Sequence, residues 1–395
     1  MDKIDELLTR RVEKIYPSRQ VLEKVLRSGK KLRLYQGFDP SRPNLHIGHL
    51  VGLLTMKQFQ KLGHEVIFLI GDFTGMIGDP SGKLQARKAL TKKQVLVNTK
   101  TYEEQAGMVL DFKGKNPVRL KFNSEWNSKL GFAEVLKLAS HFTVPQLLER
   151  DMFQERLKKK EEIYLNEFLY PLIQGYDSVT MDIDLEIGGS DQMFNMLAGR
   201  KLVKELLGKE KFVLTTKLLV DSQGKKIGKT EGNAINIANP PEVLFGQIMS
   251  LADDCIIPCF ELITEIPLIK VKEIEKSLKA GKNPMIYKKQ LAFSIVKMLY
   301  GEKLAEKSQQ YFEKVFQSKK TPEKIKILKT KVGKRDLPAL LVELKMAPSK
   351  SEAKRLVKQA AVEINNKTIK EYDNITIKTG DIIKVGKKRW VKIKN

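Results

Sequence analysis

Tyr35-Gln36-Gly37-Phe38-Asp39-Pro40, running on to His46-Ile47-Gly48-His49, is the stretch on which the fold turns. Residues 31–35 read as a strand, and a loop holding Gly37 and Pro40 follows. Residues 48–62 carry apolar side chains at helical spacing and stop at Gly63. Residues 65–70 form a short apolar run ending in Gly71-Asp72, which suits a buried parallel strand. Strand, helix and strand within about forty residues make a βαβ unit. Its first crossover is where an α/β sheet holds phosphate-bearing ligands, because a helix N-terminus offers unpaired N–H groups and the positive end of its dipole. Gly48 lets a ligand approach the backbone. His46 and His49, three apart, can face the same way and donate to phosphate oxygens. The chain has only four histidines, so a chance meeting of two surface histidines here is the weaker reading. A metal pair lacks accompanying carboxylate or cysteine ligands.

Outward from this unit the alternation continues. Residues 182–187 suggest a strand running into Gly188-Gly189-Ser190-Asp191, residues 192–207 a helix, and residues 213–220 another strand. The expectation is an α/β fold with a doubly wound parallel sheet over residues 1–235. Asn239-Pro240-Pro241 punctuates the chain, and the apolar spacing is then helical to about Gln317. Lys-rich residues 318–334 read as a linker, closing a helical segment over 236–330. The last segment, 331–395, holds 17 Lys/Arg and 7 Asp/Glu, a net +10, and reads as a short helix followed by strands.

The whole chain has 395 residues and a net charge of +25, which points to an anionic partner such as nucleic acid. Apolar residues at 42% are enough for an ordinary core. No run is long and apolar enough to span a membrane, and the charged Met1-Asp2-Lys3-Ile4-Asp5-Glu6 does not read as a signal peptide. Cys255 and Cys259 alone give neither a disulfide framework nor a zinc site, so a reducing cytoplasm is expected.

Three further stretches carry chemistry. Gly224-Lys225-Lys226-Ile227-Gly228-Lys229-Thr230 has three residues between its glycines, not the four of a Walker A loop, and no helix signal follows. It reads either as a solvated hairpin tip or as a mobile loop that brings lysines and a hydroxyl to a polyphosphate. Gly78-Asp79-Pro80-Ser81-Gly82-Lys83, with Arg87 four residues on, also misses Walker A. Tyr170, Gln174 and Asp177 fall at i, i+4 and i+7, a polar stripe between apolar residues that suits a pocket wall.

Taken together these motifs resemble the class I aminoacyl-tRNA synthetases, specifically the bacterial tyrosyl-tRNA synthetases. His46-Ile47-Gly48-His49 matches the HIGH signature letter for letter, and Lys226-Ile227-Gly228-Lys229-Thr230 looks like the KMSKS loop with three departures. Tyr170-x3-Gln174-x2-Asp177 and Gly188-Gly189-Ser190-Asp191-Gln192 look like the amino-acid pocket. The last segment resembles an S4 RNA-binding domain. Asn123-Ser124-Glu125-Trp126 departs from many members and is taken as a subfamily mark.

The resemblance implies a Rossmann-like catalytic domain, an α-helical anticodon-binding domain and a small α+β S4-like domain. It implies tyrosine activation by ATP with Mg2+, then transfer to tRNA(Tyr). His46, His49, Lys226, Lys229, Thr230, Lys83 and Arg87 would surround the triphosphate. Asp79, Tyr170 and Gln174, with Gln192 nearby, would hold the tyrosine ammonium, and Tyr35 and Asp177 the phenol. Gly37, Asp39, Gly48, Gly189, Asp191 and Lys229 would line the ATP, Asp39 also near the ammonium and Asp191 near the ribose. A homodimer with an interface near residues 125–165 is expected, and no protein-bound metal. The rivals are a tryptophanyl-tRNA synthetase, an RNA-binding protein that has lost its chemistry, and a generic nucleotidyltransferase.

Overall fold

The structure, a computed structural model, describes residues 2–81, 90–227, 234–317, 326–365, 367–369, 371, 374–386 and 389–394. Two compact units divide it, Met1–Ser308 and Gln309–Asn395.

The first unit is built on a six-stranded sheet: β1 (Val12–Tyr16), β2 (Arg33–Phe38), β3 (Glu65–Ile70), β4 (Arg119–Phe122), β5 (Leu185–Gly189) and β6 (Phe212–Thr216), in the order β1-β6-β5-β2-β3-β4. The five strands from β6 to β4 pair in parallel, as expected, and β1 joins β6 antiparallel. β2 has β5 on one side and β3 on the other, so the winding reverses at β2 and opens a crevice at the strands' C-terminal ends.

The expected elements differ at their ends for local reasons. β2 runs through Gly37 to Phe38, because Gly37 pairs with Leu69 and Phe38 with Ile70, so Gly37 is a strand residue and not a loop residue. The strand expected from 182 starts at Leu185, since Asp182 takes a φ of 51° and the Asp184 carboxylate accepts the Arg33 N–H. The strand expected over 213–220 ends at Thr216. Beyond it, Leu219 and Ile227 pair as arms of a hairpin whose tip holds Gly224 at φ +77°. The helix expected from Gly48 begins as a 3-10 turn, Ile47–His49, and continues as Leu50–Lys61.

The helices after residue 240 pack into this first unit. Two buried arginines fasten them. Arg10 donates to the carbonyls of Phe260 and Glu261, and Arg11 to those of Leu262 and Thr264. These are the last carbonyls of the Ile256–Ile263 helix, which lack intrahelical partners and carry the negative end of the dipole. Burial pushes the Arg11 guanidinium down to about 9, still charged at neutral pH. Among the described residues no single helix is long and apolar enough to cross a membrane.

The second unit packs the helices Leu337–Glu343 and Lys350–Lys358 against a five-stranded and a two-stranded sheet. Leu340, Leu341, Val357, Ile383 and Ile393 form its apolar centre. Its basic residues lie outside that core.

Candidate active site

A cleft of about 590 Å³ opens at the crevice, lined from β2, β5, the start of the Leu50–Lys61 helix, the Leu165–Thr180 helix and the hairpin arms. Such a volume suits a nucleotide and a small acid together.

At one end lie the histidines. His46 Nδ1 accepts the Gly48 N–H at 3.1 Å, and His49 Nδ1 accepts the His46 N–H at 2.9 Å. Each ring therefore uses Nδ1 as an acceptor, which puts the ring hydrogen of the neutral form on Nε2 as a donor. The rings lie 3.9 Å apart at their centroids. The chain just beyond the Lys-rich loop is stitched to this segment: Ile47 N–H donates to Ile235 and Ile237 N–H to Leu45. Tyr300 then holds the carbonyls of Ile237 and Asn239. Lys226, on the hairpin arm, pairs with Asp191 at 2.6 Å, so these two expected ATP residues meet each other across the cleft. Gly48 and Gly189 also line it.

Acidic and amide side chains line the cleft as well. Asp39 accepts from Thr74 at 2.6 Å and from Tyr170 at 2.8 Å. Gly71 leaves the room for this, because a Cβ there would sit 2.1 Å from the Asp39 carboxylate. Asp79 accepts from Gln192 at 2.7 Å and from the Ser81 N–H at 2.9 Å. Gln174 donates to Glu186 at 3.0 Å.

Asp177 also lines the cleft and is buried, 2% exposed. Its Oδ1 accepts from Trp126 Nε1 and Asn127 Nδ2, each at 2.8 Å, and its Oδ2 from Asn123 Nδ2 at 3.2 Å. Burial pushes the carboxyl up, to about 7, against the three donors that hold it down. The neighbouring wall is apolar, with Leu69 lining the cleft and packing with Tyr35, Ile67, Met181 and Ile183.

The sequence reading aimed the hydroxyl of Tyr35 and the carboxylate of Asp177 at one phenol. Both line the cleft, but the Tyr35 hydroxyl is bound to Ser178 Oγ at 3.0 Å. The reason is one step of helix: the residue after Asp177 turns toward β2 and meets the ring first. Lys83, Arg87, Lys229 and Thr230 lie outside the described residues. Asn123, Trp126, Asn127, Ser178, Glu186 and Lys211 were not foreseen as site residues. The Asn123–Trp126 stretch stood out in the sequence, and its departure acquires a role here, as two donors to Asp177.

A family described as tRNA synthetases class I (W and Y) matches residues 27–317, and the S4 domain matches residues 337–383. The tyrosine–tRNA ligase of Thermotoga maritima is 42% identical over 391 residues, 98% of this chain and 96% of that protein. That of Moorella thermoacetica is 39% identical over 393 residues, 98% of this chain and 94% of that protein. A C-terminally truncated mitochondrial tyrosyl-tRNA synthetase of Aspergillus nidulans superposes with a TM-score of 0.66 at 21% identity, covering 80% of this chain and 94% of that one, and so shares the fold. The chain belongs to the class I tRNA synthetases of the W and Y family.

Proposed function

We propose that this chain activates L-tyrosine with ATP, giving tyrosyl-adenylate and pyrophosphate, and then transfers the tyrosyl group to the 3′ end of tRNA(Tyr). The observation that carries the reading is Asp177, a buried carboxylate at the apolar end of the cleft. A carboxylate only accepts, and Oδ2 has a single donor, Asn123, so it suits a phenol O–H entering beside Leu69, whereas a phenyl ring brings no further donor to that oxygen.

The substrate's other groups find partners outward along the same cleft. Its ammonium needs acceptors, and Asp79, the Tyr170 oxygen and the Gln174 amide supply them. Its carboxylate is already ionised and attacks the α-phosphorus of MgATP without a base. The bond formed is carboxylate oxygen to phosphorus, and the bond broken releases pyrophosphate. The Nε2–H groups of His46 and His49 act as donors where negative charge builds up on the phosphate oxygens. Lys226 brings its ammonium to the cleft, and Lys229, Thr230, Lys83 and Arg87 are assigned to this set on the sequence motifs alone. Asp191 is read at the ribose.

The second unit, with the S4 match and the whole of the +10 segment, is read as a tRNA-binding module, and residues 236–330 as the anticodon-binding segment. The enzyme is read as a cytoplasmic homodimer. Phe132, Leu136, Val144 and Leu165 are 54–78% exposed, apolar side chains spread along the 125–165 region expected to form the interface. The direct test is charging of tRNA transcripts with labelled tyrosine. Label on tRNA(Tyr) and not on tRNA(Trp) supports the reading, and the reverse overturns it.

A further inference from the structure

Between β5 and the Leu165–Thr180 helix lies a charge pair that the steps above do not use: Glu186, which lines the cleft, and Lys211, which lies behind it. Glu186 is 1% exposed and Lys211 0%. The Lys211 ammonium has three N–H donors and three acceptors: Glu186 Oε2, Ser178 Oγ at 2.7 Å and the Met196 carbonyl at 3.4 Å. It passes between two helices because Gly199 has no side chain; a Cβ there would come within 2.6 Å of Nζ. Ser178 in turn meets the Tyr35 hydroxyl at 3.0 Å, and the other Glu186 oxygen accepts from Gln174 Nε2 at 3.0 Å. The pair thus underlies two residues of the cleft wall, Tyr35 and Gln174.

Stability alone is a poor reason for such a pair. Both charges give up their hydration, and an apolar pair of similar volume often serves a core as well. What the pair does that an apolar one cannot is impose a direction. A glutamine amide is a donor on one side and an acceptor on the other, whereas an ionised carboxylate only accepts. Glu186 can therefore engage only the NH2 of Gln174, which leaves the carbonyl oxygen for the cleft. Lys211, in contact with the same carboxylate, gives that charge its partner in the interior.

We propose that Glu186 and Lys211 are positioning residues that lock the Gln174 amide with its oxygen toward the cleft, where it accepts from the α-ammonium of the amino acid. The proposal rests on the amino-acid reading of that end of the cleft given above. Neither residue touches the substrate's reacting atoms. Both act through Gln174.

The test uses the full chain and three ligands: tyrosine, tyramine, which keeps the ammonium, and desaminotyrosine, which lacks it. Glu186→Gln preserves the volume but allows the two amides to turn together, so Gln174 can present its NH2 to the ammonium. Affinity for tyrosine and tyramine should fall by about tenfold or more, as when a hydrogen bond to a charged group is lost. Affinity for desaminotyrosine should stay within about twofold. Glu186→Gln combined with Lys211→Met removes both buried charges at once, leaves none unpaired, and should show the same selectivity. Equal weakening of all three ligands, or no weakening of any, overturns the proposal. If the parental chain binds none of the three, the amino-acid reading fails, and the proposal with it, which is distinguishable from the other two results.

Discussion

Asp177→Asn should make the protein more stable in mild alkali and a poorer enzyme at the same time. In the native cleft burial holds the Asp177 carboxyl at about 7, against 3.8 for an aspartate free in water. A carboxyl whose folded pKa lies above its unfolded pKa favours the folded state least when ionised. The contribution is absent below the unfolded pKa, grows against folding as pH rises between the two, and is constant above the folded pKa. The gap of about three units corresponds to roughly 4 kcal/mol at pH 8 and roughly 1–2 kcal/mol at pH 5. Asparagine removes this titration. Its oxygen can keep Trp126 and Asn127, but its NH2 then faces the Asn123 NH2. Asn123 cannot turn without giving up the Phe73 N–H, which it accepts at 2.9 Å. That mismatch costs about 1–2 kcal/mol at either pH.

The variant should therefore gain roughly 2–3 kcal/mol at pH 8 and change little at pH 5. The assay is urea unfolding at the two pH values in a Trp390→Phe background. That substitution leaves Trp126, which donates to Asp177, as the sole tryptophan of a chain that has two. Pyrophosphate exchange on the same protein should show a reduced preference for tyrosine over phenylalanine. A stability difference of the same size at both pH values would refute the raised carboxyl, and an unchanged amino-acid preference would refute its role as acceptor for the phenol.

His46→Ala and His49→Ala should each lower kcat for adenylate formation by about a hundredfold or more while leaving the tyrosine KM within about twofold, because these donors act on charge that builds in the transition state. Parental rates of pyrophosphate exchange in either variant would count against the assignment. Removing residues 331–395 should spare pyrophosphate exchange and reduce tRNA charging, since the segment carries +10 and none of its described residues lines the cleft. In the full chain tRNA binding should weaken steeply with salt as basic side chains release condensed counterions, and a flat salt dependence would argue against that role.

What the sequence disclosed and what it hid follow from distance along the chain. His46 and His49 were legible because their chemistry is local: two rings, a turn and a glycine within four residues. The stripe of Tyr170, Gln174 and Asp177 was legible through helical period alone, and the helix Leu165–Thr180 carries all three. The partners of Asp177 were hidden because Asn123, Trp126 and Asn127 lie 50–54 residues away and meet it only across β4 and the helix. Ser178 took the Tyr35 hydroxyl for a similar reason. Lys211 sits in a Lys-rich stretch that reads as solvated surface, and only the missing side chain of Gly199 admits it to the interior. β1, with the sequence Val-Glu-Lys-Ile-Tyr, and β4, Arg-Leu-Lys-Phe, are short, partly charged edge strands without the apolar run that marked β3.

The measurement that bears most directly on the account is ATP–pyrophosphate exchange by the full chain, run with each of the twenty amino acids in turn. Exchange that depends on tyrosine, with phenylalanine and tryptophan far behind, is the predicted result. Exchange driven best by tryptophan or phenylalanine, or none with any amino acid, would contradict it.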